Sequence, residues 1–212
     1  RLTTHRRSGH LTVAIVSHFD GTLHCRADPP AAMTSRLSGS AEGTEMKIAM
    51  IAPPWLPVPP PAYGGTESVI DRLARGLADA GHDVLLVTTG DSTCPVARAW
   101  TIEEAATDAM GNVAVELRHV IGAAGAISDA DVVHDHTLVG PILAAERGDR
   151  RVVTTCHGSF DQTLTPLYRH ISEQVEVIAI SHDQASRARD VRIAAVIHHG
   201  IEPERFPVGS GD

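Results

Sequence analysis

From Met46 onward the chain alternates short, unbroken apolar runs with stretches whose apolar residues recur every three or four positions. Such a run is buried on both faces when it pairs with parallel neighbours, and the helical stretch between two runs is the crossover that parallel pairing requires. The runs are Lys47–Ala52 (KIAMIA), Val84–Thr88 (VLLVT), Val113–Leu117 (VAVEL), Val132–His134, Val152–Thr155, Val177–Ile180 and Ala194–Ile197. Between the first two, Val69, Ile70, Leu73 and Leu77 follow helical spacing and Gly81 is a natural stop. Further helices are expected at 119–128, Leu138–Arg147, Leu167–Gln174 and Ser181–Asp190, the last with Ser181 as its N-cap. The fold class that follows is α/β, a doubly wound, mostly parallel sheet.

Composition removes several alternatives. The 212 residues carry 18 Lys plus Arg against 26 Asp plus Glu, a net charge of −8, so the basic field that nucleic-acid binding needs is missing. No apolar run approaches the ~18 residues of a spanning helix. The only lysine, Lys47, follows Met46 at the start of an apolar run, which excludes a P-loop. Cys25, Cys94 and Cys156 are too few and too scattered for a disulfide framework or a zinc ribbon. With no glycosylation sequon or signal peptide visible, a reducing, cytoplasmic setting is expected, with attachment to the inner face of the membrane left open. The helix following Gly65 mixes Arg72 and Arg75 with Asp71 and Asp79, so its polar face is expected to be solvated.

Residues 1–45 are rich in Ser, Thr, Gly and Arg and read as a leader, disordered or non-native, with one strand-like patch at Thr12–Ser17. The folded domain is expected over 46–207, and 208–212 reads as the start of a linker.

In a doubly wound sheet, ligands bind beyond the carboxyl ends of the strands, where the strand order reverses. The chemically informative residues fall at those ends: Gly64, Gly65, Thr66 and Glu67 after the first run, then His134, Asp135 and His136, then His157 and Gly158, then Ser181, and last His198, His199 and Gly200. Gly64-Gly65 before a helix suits a phosphate, because the backbone can approach closely and the first amides are free; it is equally a tight turn. Glu67 can hold a hydroxyl or simply complement the helix dipole. His134, Asp135 and His136 suit a polar cluster facing a substrate, satisfied structural histidines, or two ligands of a metal. Cys156 and His157 point to opposite faces, which makes them a poor thiolate–imidazole pair. His157, at a strand tip before Gly158, is the better candidate to hold a substrate hydroxyl, although capping its loop is the competing role. No Gly-x-Ser-x-Gly elbow and no Gly-x-Gly-x-x-Gly fingerprint occur, which argues against an α/β-hydrolase and a nicotinamide enzyme.

Taken in order, KIAMIAPPW (47–55), YGGTE (63–67), GHDVLLVTTGDS (81–92), DVVHDHT (131–137), VVTTCHGSFD (152–161), VIAISHDQ (177–184) and HHGIEPERFP (198–207) resemble the N-terminal domain of family 4 glycosyltransferases. Those enzymes have the two-domain GT-B architecture, each half Rossmann-like. The resemblance implies transfer of a sugar from a nucleotide-sugar donor to an acceptor hydroxyl, usually retaining and without a bound metal or other cofactor. It places Gly64 and Gly65 beside the donor phosphates and acceptor, and His157 in the cleft near the transferred sugar. The acceptor class stays open among a glycan, a lipid-linked molecule and a small molecule. Where the family commonly has Asn-Gly, this chain has His199-Gly200. The donor-binding second domain, with its paired glutamates, is not within these residues, so activity is expected to need that domain or a partner subunit. A non-catalytic α/β module binding a glycan or phosphorylated ligand is the alternative expectation.

Overall fold

The computed structural model describes residues 3–7, 10–14, 45–202 and 209. Thr3–Arg7 (β1) and His10–Ala14 (β2) form an antiparallel pair of their own. The remainder of the expected leader, including residues 15–17 of the strand-like patch, lies outside the described residues, as do 203–207 of the last matched stretch and the linker apart from residue 209.

Seven strands make the main sheet: Lys47–Ile51 (β3), Asp83–Thr89 (β4), Ala97–Ile102 (β5), Val132–Asp135 (β6), Val152–Cys156 (β7), Glu176–Ala179 (β8) and Ile193–Val196 (β9). Every pairing is parallel, in the order β5-β4-β3-β6-β7-β8-β9. The helices are Gly65–Asp79 (α1), Val113–Ala123 (α2), Val139–Arg147 (α3), Leu164–Ile171 (α4) and His182–Arg187 (α5). The direction of winding reverses between the neighbours β3 and β6, which puts the ligand-binding crevice of a doubly wound sheet at their carboxyl ends. Among the described residues no helix is long and apolar enough to cross a membrane.

Burial follows strand alternation. Ile48, Met50, Ala52 and Leu86 pack with Ile70, Ala74 and Leu77 of α1 on one side of the sheet. Ala49, Ile51, Val87, Val133, Val152 and Val177 pack on the other side with Ala123, Ala144, Tyr168 and Ile171. Lys47 is the exposed first residue of β3 and the four that follow are buried, as an unbroken apolar run in a parallel sheet demands.

Three expectations change. Val113–Leu117, read as a strand from its two-residue alternation, forms the first turns of α2. Asn112 Oδ1 accepts from the Ala114 amide at 3.0 Å, and the buried residues are Glu116, His119 and Ala123, a helical spacing. The helix expected at 119–128 therefore starts earlier and ends at Ala123. Ala97–Ile102 forms the edge strand β5, which no apolar run announces, since all of its residues stay partly or fully open along the sheet margin. The helix expected from Leu167 begins at Leu164, because Asp161 Oδ1 accepts from the amides of Thr163 and Leu164, both at 2.8 Å.

Candidate functional site

The glycine turn after β3 uses its two glycines differently. A Cβ on Gly64 would lie 2.6 Å from Pro60 Cβ, so the proline-rich loop can close over this turn only with glycine there. A Cβ on Gly65 would meet nothing within 4 Å. Gly65 is exposed and opens α1, whose first intrahelical bond runs from the Ser68 amide to Gly64 O at 3.0 Å. The preceding amides have no place in the helical ladder, and no side chain caps them, so this end offers donors and a positive dipole to an anion. Thr66 lies half-buried beside it. Glu67 is buried, accepts from its own amide, and burial raises its carboxyl above the ordinary range. The polar face of α1 is not uniformly solvated: Asp71 is buried and accepts from Arg75 at 2.6 Å, and Arg75 also reaches Glu202 at 3.4 Å.

At the tip of β6 the pleat sends successive residues to opposite faces. Asp135 turns away from α1. Its Oδ1 accepts from the amide and the hydroxyl of Thr137, at 2.8 and 2.7 Å, and Thr137 Oγ1 in turn accepts from the Gly140 amide at 3.0 Å. A Cβ on Gly140 would stand 1.8 Å from Asp135 Oδ2, so this carboxyl is packed directly against the start of α3. Burial pushes its pKa up to about 6, against the pull of the Thr137 bonds. Asp135, expected to face a substrate, instead organises the turn into α3, and the reason is strand alternation.

His134 and His136 occupy the α1 side and begin a row of four imidazoles. Their rings stack with centroids 4.1 Å apart, and His134 Nε2 lies 2.9 Å from Thr155 Oγ1. His136 Nδ1 lies 2.9 Å from His157 Nε2, and the His157 and His199 rings follow at 5.5 Å. Burial lowers all four: His134 to about 3, His157 to about 4, His136 well below its usual value, and His199 in the same direction with help from the Arg72 charge. The row is therefore neutral at neutral pH. His134 Nδ1, His136 Nε2 and His157 Nδ1 are buried without a hydrogen-bond partner. Among the described residues no three His, Cys, Asp or Glu side chains are grouped to hold a metal ion.

Three of these rings, His134, His136 and His199, line a cleft of about 70 Å³ together with Val69, Arg72 and Leu73 of α1, Val153, Ile178, His198 and Gly200; His157 is not part of its lining. His198 also contacts the His182 ring edge-on at 5.7 Å. Ser181 caps α5, its Oγ accepting from the Gln184 amide at 3.0 Å, so its hydroxyl is committed to the fold. The Gly158 carbonyl is held from behind. Gln184 Nε2 donates to Gly158 O at 2.6 Å and to Cys156 O at 2.8 Å, while its Oε1 accepts from the Ile180 amide at 2.7 Å. Cys156 lies on the opposite side from His157, with burial raising its thiol. Arg72 and Gln184 are the contributors that sequence reasoning missed. Arg72 was legible only as one charge on a mixed helix face, and the Gln184 clamp joins residues 26 and 28 positions away.

The glycine turn, the β6 tip and the histidine row thus meet at one end of the sheet, and the same residues fall within a known family. The Glycosyltransferase Family 4 pattern matches residues 63–205, from the glycine turn past the last histidines. The chain belongs to glycosyltransferase family 4. No curated protein matches this family 4 chain in sequence. Among solved structures it is similar to Alr3699/HepE of Anabaena, determined in complex with UDP and glucose, with a TM-score of 0.53 at 13% identity. The match covers 78% of this chain and 48% of HepE, so this family 4 chain spans about half the length of that protein. At that identity the likeness concerns the fold, which is one half of the GT-B architecture.

Proposed function

We propose that this chain is the acceptor-side half of a glycosyltransferase that moves a sugar from a nucleotide-sugar donor to an acceptor hydroxyl, with retention and without a metal. The observation that carries this reading is the meeting, at the switch point between β3 and β6, of free α1 amides with a row of neutral, incompletely bonded imidazoles. Departure of a nucleoside diphosphate develops negative charge, and the amides of Gly65 and Thr66 can stabilise it without reorganising. His157, kept neutral by burial, is a weak base at neutral pH but a ready hydrogen-bonding group for a sugar hydroxyl. That suits front-face transfer, which depends on placing donor and acceptor more than on proton abstraction. His136, His199 and Gly200 complete the cleft wall on this reading, and His134 and Gly158 support it. Glu67 and Thr66 sit where an acceptor or donor hydroxyl reaches the start of α1.

The donor nucleotide is held chiefly by a second Rossmann-like half. Supporting this, the chain spans about half of HepE, whose structure holds UDP and glucose. The test is release of nucleoside diphosphate from a panel of nucleotide sugars by the chain joined to such a half. His157→Ala lowers that turnover by ~100-fold or more if the ring acts in the transition state. Ligand binding with no turnover under any pairing contradicts the proposal and favours a binding module.

A further inference from the structure

Arg72 and Arg75 lie one turn apart on α1 and are finished differently. Arg75 bonds to Asp71 at 2.6 Å and to Glu202 at 3.4 Å. Arg72 makes no hydrogen bond and no ion pair among the described residues, and its Nε–H is buried without a partner. Asp71 Oδ1, on the neighbouring residue, is also buried and unpartnered, so Arg72 is not turned toward it. Arg72 instead lines the cleft beside Val69, and its charge reaches His199 in the same lining. No Asp or Glu is among the described residues that line this cleft, so nothing there offsets the cation. Charges taken out of water are ordinarily paired, and apolar walls such as Val153 and Ile178 strengthen the attraction of a counter-ion.

Arg72 follows Gly65 by seven residues, two turns of α1, which puts both on one face of the helix and about 10 Å apart along its axis. One phosphate group cannot touch the α1 amides and Arg72 together. We propose that Arg72 receives an oxyanion, a carboxylate or a phosphate monoester, carried by the acceptor, whose carbon skeleton packs on Val69, Leu73 and Ile178. The planar guanidinium suits either group, since both offer two oxygens to its paired N–H donors. Assigning the anion to the acceptor rests on the transferase reading, in which the donor diphosphate takes the α1 amides; the anion site itself does not.

The chain labelled with 15N tests the site, with inorganic phosphate and acetate as separate probes. The reporter is the Arg72 Nε–H signal, assigned by its loss in Arg72→Gln. A saturable shift with at least one probe is expected, and it persists in Gly65→Asp, which closes the α1 amides to anions. The His199 ring signals follow it in the wild type and stay still in Arg72→Gln. A shift that does not saturate, or that vanishes in Gly65→Asp, overturns the proposal. Turnover by the chain joined to a donor-binding half then compares glucose, glucuronate and glucose 6-phosphate as acceptors. At least one of the two anions should exceed glucose about 10-fold in kcat/KM; Arg72→Gln removes that advantage by raising the acceptor KM, and Arg72→Lys keeps part of it. Equal use of neutral and anionic acceptors, or an advantage that survives Arg72→Gln, overturns the proposal and leaves the transferase reading intact. Saturable anion binding at Arg72 with no nucleoside diphosphate released under any pairing would contradict the transferase reading and leave the anion site.

Discussion

Asp135 and the histidines on either side of it occupy one strand tip, yet they belong to two differently finished regions. On the side of α2, α3 and α4, Asp135 bonds to Thr137 twice, backs onto Gly140 and leaves no buried atom without a partner. On the side of α1, His134 and His136 each make one hydrogen bond and leave the second ring nitrogen buried and unpaired. Buried polar groups are usually satisfied, because an orphan costs about 1–3 kcal/mol. Asp135, with its bonds made, therefore reads as structure, whereas its strand neighbour Thr154 on the same face keeps a buried Oγ1 without a partner. The three unpaired imidazole nitrogens stand close together in one row, and the proposed function supplies their missing partners as ligand.

Acid is the strongest way to break this comparison. The histidines have folded pKa values below their unfolded ones, so the unfolded state binds more protons as pH falls below about 6.5 and their contribution to stability is lost toward about 3. Asp135 acts oppositely: its folded value of about 6 lies above the unfolded one, so it destabilises as pH rises from about 4 to 6. Between pH 7 and 4.5 the buried histidines therefore lower stability as pH falls, and Asp135 acts in the opposite direction. Denaturant unfolding should show stability falling from pH 7 to 4.5 in the wild type and falling more steeply in Asp135→Asn. A flat profile across that window would mean the imidazoles are not buried neutral.

Gly140→Ala comes next. It drives a methyl into the Asp135 carboxyl and should cost about 3 kcal/mol in the same unfolding measurement. A loss under about 1 kcal/mol would show that the α3 turn is looser than its contacts imply. Gln184→Ala, which strands the Ile180 amide and the Cys156 and Gly158 carbonyls, should cost about 2 kcal/mol. Smallest is Gly65→Ala, where the added carbon meets open space: a change within about 0.5 kcal/mol is expected. A larger loss would make Gly65 a structural glycine like Gly64.

The sheet was legible where burial is two-sided. Lys47–Ile51 and Asp83–Thr89 are near-continuous apolar runs, and helical spacing in α1 marked the crossover between them. Legibility failed where the pattern was ambiguous or short of apolar residues. Val113, Val115 and Leu117 alternate like a strand, although Asn112 was present as a cap signal. The edge strand Ala97–Ile102 buries too little to stand out. In the site, strand-tip residues were readable from the rule for doubly wound sheets. Their division between two faces needed the pleat applied residue by residue at Asp135. The histidine row could not be read at all, because His136, His157 and His199 come together only through the β6-β7-β8-β9 order.

The central claim is that the open amides at the start of α1 receive the charge of a departing diphosphate. Gly65→Asp tests it most directly, since a carboxylate there suits the helix dipole and fits the open space, yet repels an anion. With the chain joined to a donor-binding half, nucleoside diphosphate release should fall ~100-fold or more in Gly65→Asp while the melting temperature holds. Release at the wild-type rate from a folded Gly65→Asp protein would contradict the account.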